Sequence, residues 1–448
     1  MGDNSTVRDY VTLQRGITYK GNLVGKPGPA LLGLGSIQPG GGFREADYKT
    51  YGGDCPPQLM LLPGDLFASL KGATKDGEMI GSVARVPKSV STGRLTQDTV
   101  GLKFLNSDPM NVSFLYWVLR TPQYRAYCAG RATGSAVVAL SRDDFLNFPV
   151  PARTEDRIRL VELFDAIEDK IELNRRRNRT LEATARTIFQ CWFVDFDPVK
   201  AKAAGRTPAG LSPELAALFP DSFEDSPLGL IPKGWRVGNL ESVLDVLETG
   251  SRPKGGVKDI KSGVPSVGAE SIVSIGRFDY PKTKYVSEDF FRNMRKGKVQ
   301  SRDVLLYKDG GKPGLYEPHV SMYGDGFPFD EFCINEHVYR LRAKAPFNQN
   351  MLYFWLTSAT ALAEMRIKGT GVAIPGLNST AVKSLSVLVP SDPVLTGFDK
   401  LIEPIVAHLF SSCNESRTLA ALRDALLPKL ISGELRVPDA ERIVKRAI

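Results

Sequence analysis

The stretch "IEDKIELNRRRNRTLEATARTIF" (167–189) steps down one helical face at intervals of four and three residues. Ile167, Ile171, Asn174, Asn178, Leu181, Ala185 and Ile188 form a single stripe, and Leu160 and Phe164 extend it backwards. This is a heptad seam on a long amphipathic helix, with two asparagines in its middle. So narrow a stripe is not buried by itself. The sequence must hold a partner helix, or the chain must associate with a second copy.

The partner emerges as a repeat. "ESRTLAALRDALL" (415–427) lies over "RNRTLEATARTIF" (177–189) at an offset of 238. Carried back along the seam, that offset aligns Phe398, Ile402, Ile405, Leu409, Ser412, Ser416, Leu419 and Leu426, again polar in the middle. Asn174 and Asn178, with Ser412 and Ser416, read as positions that fix register and orientation. Arg423 departs from the pattern, standing where the first copy has Ala185. Upstream, "ATGSAVVALS" (132–141) matches "GTGVAIPGLN" (369–378), "LYWVLRT" matches "LYFWLTS", and "GDLFASLKG" matches "RDVLLYKDG". "GSIQPGGGF" lies over "ESIVSIGRF" near the start of each copy. Their shared order carries the inference. The period is far too long for a solenoid, so each copy is a domain with its own helical arm.

Ahead of each helix lie about 150 residues of short β-branched and aromatic runs, such as "DVLLYK", "HVYRLRA" and "SLSVLVP", broken by Gly/Pro turns and short helical stretches. The expected fold class is α+β: two mixed α/β domains, internally duplicated, separated by two long antiparallel coiled-coil helices. The join, "CWFVDFDPVKAKAAGRTPAGLSPELAALFPDSFEDSPLGLIPKGW", holds one helix candidate, "SPELAALF", and reads as a linker or a wrapped surface loop. It would let the second domain turn round, giving a rod with a globular domain at each end.

Composition bounds the function. The chain has 448 residues, 42% hydrophobic and 24% charged, enough for two or three domains. A formal charge of +8 permits a polyanionic partner without requiring one. Cys55, Cys128, Cys191, Cys333 and Cys413 are scattered, with no CxxC pair, which argues against a disulfide framework or a zinc ribbon. No run of about 18 apolar residues occurs, and "MGDNSTVRDY" lacks the features of a signal peptide; the expected location is cytoplasmic.

The "IPKGW" at 231–235, the "TGS" and "TGV" elements ahead of the "PVP" and "LVP" runs, the two long helices and above all the joining segment resemble the specificity subunit of type I restriction-modification enzymes. The first half departs in lacking an "IPKGW"-like opening. The resemblance spans essentially the whole chain. It implies a non-catalytic subunit that directs adenine methylation and restriction. Target recognition domain 1 would be residues 1–152, a central helix 153–192, a linker 193–230, domain 2 residues 231–391, a C-terminal helix 392–432 and a tail 433–448. Each domain would read one half of a bipartite, asymmetric sequence in double-stranded DNA. The helices would dock two methyltransferase (M) subunits, which use S-adenosylmethionine, and restriction/translocase (R) subunits, which use ATP and Mg, would complete the complex. No cofactor, metal or membrane is implied for this chain itself.

The residues raise no competing chemistry. An adenine methyltransferase needs a [DN]PP[YF] motif, and "FDPVK" and "SDPVL" lack the second proline and the aromatic. "LLGLGSIQPGGG" does not complete GxGxxG and reads as a turn-rich surface loop; no GK dipeptide is followed by Ser or Thr, so there is no P-loop. His319, His337 and His408 are too scattered for a catalytic or metal set. "EDK" (168–170) fits a loose nuclease triplet but falls on the long helix, as a solvated face. A non-catalytic coiled-coil adaptor that binds other proteins is the competing reading.

Phosphate contacts need positive charge, and base readout needs Arg, Lys, Asn or Gln in a groove. Candidate DNA-binding residues in the second domain are Arg292, Arg295, Lys296, Lys298, Arg302, Lys308 and Lys312. The corresponding piece of the first offers Lys71, Lys75, Arg85, Lys88 and Arg94. Arg175, Arg176, Arg177 and Arg179 would touch phosphates between half-sites or an acidic methyltransferase surface. Leu160 to Ile188 would measure about 42 Å of helix, a ruler of about 12 base pairs.

Overall fold

Leu66, Phe67 and Ala68 show why the first half builds in layers. All three are buried, yet neighbouring side chains on a strand face opposite ways. Leu66 and Ala68 enter one apolar cluster and Phe67 another, so this strand lies between two cores. The computed structural model describes residues 5–44, 48–72, 79–133, 138–369, 371 and 375–429. It forms two units, Met1–Ile171 with Thr418–Ile448, and Glu172–Arg417.

In the first unit the strands are β1 (Val11–Arg15), β2 (Ala30–Leu32), β3 (Met60–Leu61), β4 (Leu66–Ser69), β5 (Lys71–Gly72), β6 (Val83–Arg85), β7 (Gly93–Leu95), β8 (Thr99–Phe104) and β9 (Val138–Ala139). An antiparallel sheet runs β1-β8-β4-β6. A smaller sheet pairs β2 parallel and β3 antiparallel to β7, and Thr50 bridges the free side of β2. The helices α1 (Pro109–Val118), α2 (Pro122–Arg131) and α3 (Arg142–Leu146) are capped by Asp108, Thr121 and Ser141, whose side chains accept from backbone N–H groups of the first turn. The long α4 (Glu155–Phe193) begins here. Its Leu160, Val161 and Phe164 join the cluster that holds Trp117, Leu426 and Leu427.

The second unit holds β10 (Phe223–Ser226), β11 (Gly229–Pro232), β12 (Arg236–Asn239), β13 (Leu244–Thr249), β14 (Val264–Val267), β15 (Lys284–Val286), β16 (Val304–Tyr307), β17 (Gly311–Lys312), β18 (Leu315–Tyr316), β19 (Val320–Met322), β20 (Cys333–Ile334), β21 (Val338–Ala343) and β22 (Ser386–Val389). Its antiparallel sheet runs β13-β21-β16-β19, the order of the first unit's sheet. Here too the smaller sheet has one parallel pair, β14 with β20. β15 flanks β14 where Thr50 flanks β2, and Lys298 bridges Cys333 where Met60 pairs with Arg94. After α5 (Asp197–Ala203), α6 (Pro213–Ala217) and α7 (Glu288–Asn293) come α8 (Gln349–Leu356), α9 (Ala359–Lys368) and α10 (Ser379–Lys383), capped in turn by Asn348, Ser358 and Asn378. The final helix is α11 (Asp392–Leu426). The repeat is thus a repeat of topology, in the two sheets and in the capped helices that follow them.

Within each unit, segments of α4 and α11 pack antiparallel. In the first, Ile167 and Ile171 meet Leu419, and Glu168 accepts from Arg423 at 2.9 Å. That ion pair is what the departure at Arg423 does. In the second, Asn174, 1% exposed, donates to Glu415 Oε2 (2.7 Å), Ser416 Oγ (3.2 Å) and Ser412 O (3.4 Å). Asn178 donates to Leu409 O and Cys413 Sγ, both at 3.3 Å. Leu181 and Ile405 are half-buried; Phe398, Ile402, Leu409 and Ser412 are buried. Beyond Ala185 the expected stripe shifts by one residue. Phe189, Trp192 and Phe193 enter the core around Phe398, leaving Ile188 half-buried, because large rings fill the space there.

One reading is decided and two need correction. The joining segment contains α5 as well as the expected α6; of the two readings, linker or wrapped surface loop, it takes the second, wrapped on the second unit, with Val199 and Phe219 buried and Phe219 stacked edge-on against Trp192 at 4.9 Å. The "IPKGW" tryptophan, Trp235, sits between Phe193 and Phe196. In "GSIQPGGGF" the glycines do turn, with φ of 80°, 110° and 104° at Gly40, Gly41 and Gly42, but Gly41 and Gly42 are buried against Arg120 and β6 rather than at the surface. Finally, Glu168 and Asp169 of "EDK" are not merely solvated. They accept from Arg423 and from Lys88 (3.2 Å).

Candidate nucleic-acid interface

The basic residues separate into those held inside a unit and those left at its surface. Arg94 is 2% exposed, and its guanidinium donates to Asp54 O (3.0 Å), Leu95 O (3.2 Å) and Thr18 O (3.1 Å) while lying over the Tyr51 ring. Arg85 pairs with Asp165 at 2.9 Å, bonds Ser113 and stacks on Tyr116; Trp117 Nε1 donates to the same Asp165 oxygen. Arg302, at a left-handed φ of 69°, pairs with Asp325 (2.6 Å) and Glu403 (2.8 Å) and lies over Phe410. Arg85 and Arg302 tie a strand and a turn to the long helices of their own unit, and Arg94 ties together the backbone at Thr18, Asp54 and Leu95. Their guanidinium groups are held mainly by partners within their own unit.

The rest stay at or near the surface. Lys71 on β5 is exposed, 3.8 Å from Asp98, and Lys88 is exposed beside Asp169. Arg292, Arg295 and Lys296 are exposed at the end of α7, Arg292 bonded to Asp289 at 2.5 Å. Lys298 is half-buried, donates to Arg292 O and lies over Phe291. Lys312 is exposed on the β17–β18 hairpin, and the half-buried Lys308 is 3.7 Å from Asp309. Lys75 lies outside the described residues. On α4, Arg175, Arg176, Arg177 and Arg179 are exposed, with Arg176 3.9 Å from Glu172. The histidines stay apart: His337 bonds Asp309 at 3.0 Å, His319 lies near the Tyr307 ring, and His408 is exposed on α11. Among the described residues no group of His, Cys, Asp or Glu is placed to hold a metal, and no helix is long and apolar enough to cross a membrane.

One pair of segments was missed from sequence. Between the first strand of the main antiparallel sheet and the smaller sheet each unit has a loop, "GITYKGNLVGKPG" (16–28) and "GSRPKGGVKDIKSG" (250–263), sharing G-x-x-x-K-G at an offset of 234. That identity was visible in the sequence, but without the fold nothing distinguished it from chance. In the structure the two loops leave and return at equivalent points. A Cβ on Gly16 would meet Thr96 O at 1.9 Å, and one on Gly250 would meet Ile334 O at 1.6 Å. At the far ends, Gly28 and Gly263 have φ of 156° and 138°, and a Cβ would meet Tyr51 O at 2.0 Å and Val286 O at 2.3 Å. Only glycine fits these positions.

No family model matches the chain. It is 22% identical over 352 residues to the specificity subunit of the type I restriction enzyme MjaIX of Methanocaldococcus jannaschii, covering 78% of this chain and 75% of that one. It is 24% identical over 436 residues to the HindI specificity subunit of Haemophilus influenzae, covering 83% and 89%. The crystal structure of the type I restriction-modification S subunit from M. genitalium matches over 96% of both chains with a TM-score of 0.50 at 13% identity, a likeness of fold. Two relatives of one kind, each matched along most of its length, make this chain similar to the specificity subunits of type I restriction-modification systems, and the M. genitalium S subunit shares its fold.

Proposed function

We propose that this chain is the DNA sequence-specificity subunit of a type I restriction-modification complex. It recognises a bipartite, asymmetric target and directs adenine methylation and restriction by partner subunits, with no catalysis of its own. The observation that carries this is the duplication: two sheets of identical strand order, each followed by a long helix of the same seam. A protein that reads two unlike half-sites needs one scaffold twice, with different surfaces.

On this reading recognition domains at 1–152 and 231–391 are held apart by antiparallel helices at 153–192 and 392–432. Those helices dock two methyltransferase subunits, which bring S-adenosylmethionine, and restriction subunits bring ATP and Mg. The complex works in the cytoplasm. Lys71, Lys88, Arg292, Arg295, Lys296, Lys298, Lys308 and Lys312 supply charge to the DNA-facing surfaces, because phosphate contacts set register and add affinity without sequence information. The test is coexpression with the neighbouring methyltransferase gene. The reading expects the two proteins to copurify and to retain one duplex over its scrambled counterpart at moderate salt. Copurification with other proteins, without selective DNA retention, would favour a coiled-coil adaptor instead.

A further inference from the structure

We infer that the two glycine-hinged loops, Gly16–Gly28 and Gly250–Gly263, are the arms through which each unit grips the DNA backbone, with Lys20 and Lys254 as the equivalent phosphate-contacting residues. The inference rests on the specificity-subunit reading and extends it. Its logic comes from the duplication. Two domains that read different half-sites must differ in the residues that meet bases, whereas phosphates are the same in both. A surface lysine shared by both copies, in loops that otherwise diverge, is what a sequence-independent contact requires. Lys20 and Lys254 occupy the same place in G-x-x-x-K-G, and each loop adds further exposed cations, Lys26 in one and Lys258 and Lys261 in the other.

Charge sets these lysines apart from the basic residues that acids hold in place. Arg85, Lys88, Arg292, Arg302 and Arg340 all have carboxylate partners. Lys20, Lys26, Lys254, Lys258 and Lys261 are exposed and make no ion pair among the described residues; the exposed Asp259 is the one carboxylate within either loop. Unpaired surface charge repels itself unless an anion meets it. In the second unit the loop also borders a concavity lined by Arg252, Lys258, Lys261, Lys284 and Tyr285, with no carboxylate in its lining. Glu336 holds Arg252 at 3.2 Å and Glu270 holds Lys284 at 2.5 Å, which fixes two of its cations. A Cβ on Gly297 would meet the Gly250 Cα at 2.5 Å, so the basic run from Arg292 to Lys298 returns beside the root of the loop. Glycines anchor the loops at both ends, so their lysines are presented from fixed points on the smaller sheet.

The experiment uses the full chain in complex with its methyltransferase. Wild type is compared with Lys20→Gln/Lys26→Gln and with Lys254→Gln/Lys258→Gln/Lys261→Gln, measuring affinity for the cognate duplex over a range of salt, together with the methylated motif. Each lost phosphate contact should flatten the slope of log affinity against log salt by about 0.9. Each variant should therefore lose at least one such step and bind about tenfold more weakly at physiological salt, with its methylated motif unchanged. Lys254→Arg, which keeps the charge, should keep the slope. Wild-type slopes in both variants, beside a normal wild-type motif, would overturn this inference alone. So would a changed motif, since the loops would then be reading bases. Absence of any selective DNA binding by the wild-type complex would overturn the specificity-subunit reading and this inference with it.

Discussion

Asp303 is fully buried, and it carries two arginines. Arg340 bonds it and also reaches Glu248 at 2.7 Å, Arg342 bonds it at 2.8 Å, and Gln300 N–H donates to it at 2.7 Å. The first copy keeps the turn, with Leu62 N–H donating to Asp65, but has Gly101 where the second has Arg340. A buried carboxylate deprived of its principal partner costs about 3–5 kcal/mol. Arg340→Ala should therefore lower the thermal midpoint of the second unit's unfolding by calorimetry, and leave the first unit's transition where it is. Asn174→Ala removes the donor to Glu415 and Ser416 in the helix seam and should cost about 1–3 kcal/mol. The thiols give a check by pH. Burial pushes Cys413 up to about 12, and Cys333 and Cys191 to about 11. Since the thiolate is the reacting form, these three should stay unmodified by a thiol reagent at pH 8 in the native protein. The half-exposed Cys55 should react first, with the remainder appearing on unfolding.

At the scale of elements, the long helices and the duplicated order were legible, and for a physical reason. A heptad seam writes its period into the sequence over many turns, and a second copy writes it again. The sheets were legible only as short β-prone runs, because strands such as β4 bury both faces and lose the alternation that marks a half-buried strand. The basic residues were the least legible. Arg85, Arg94 and Arg302 look like surface charge in sequence, and only tertiary partners reveal them as clamps. Acidic Glu168 and Asp169 misled for the same reason. The glycine hinges make a prediction at this scale. Gly250→Ala places a methyl group against the Ile334 carbonyl, whereas Gly255, with open space around its Cβ position, does not. Gly250→Ala should destabilise the second unit measurably, and the Gly255 substitution should cost little more than its backbone strain at φ 87°.

At the scale of the whole molecule, the proposal makes the paired helices a ruler between half-sites. Inserting one heptad into both helices adds about 10.5 Å, which is roughly three base pairs. The unread spacer should lengthen by about that amount while the two half-site sequences stay as they were; an unchanged spacer would refute the ruler. The most direct measurement is to coexpress the wild-type chain with its methyltransferase and map adenine methylation across a genome by single-molecule sequencing. The account predicts one split motif, two unlike short halves around a fixed gap. A complex shown to be assembled and to contain an active methyltransferase, yet yielding a continuous motif or none, would contradict it.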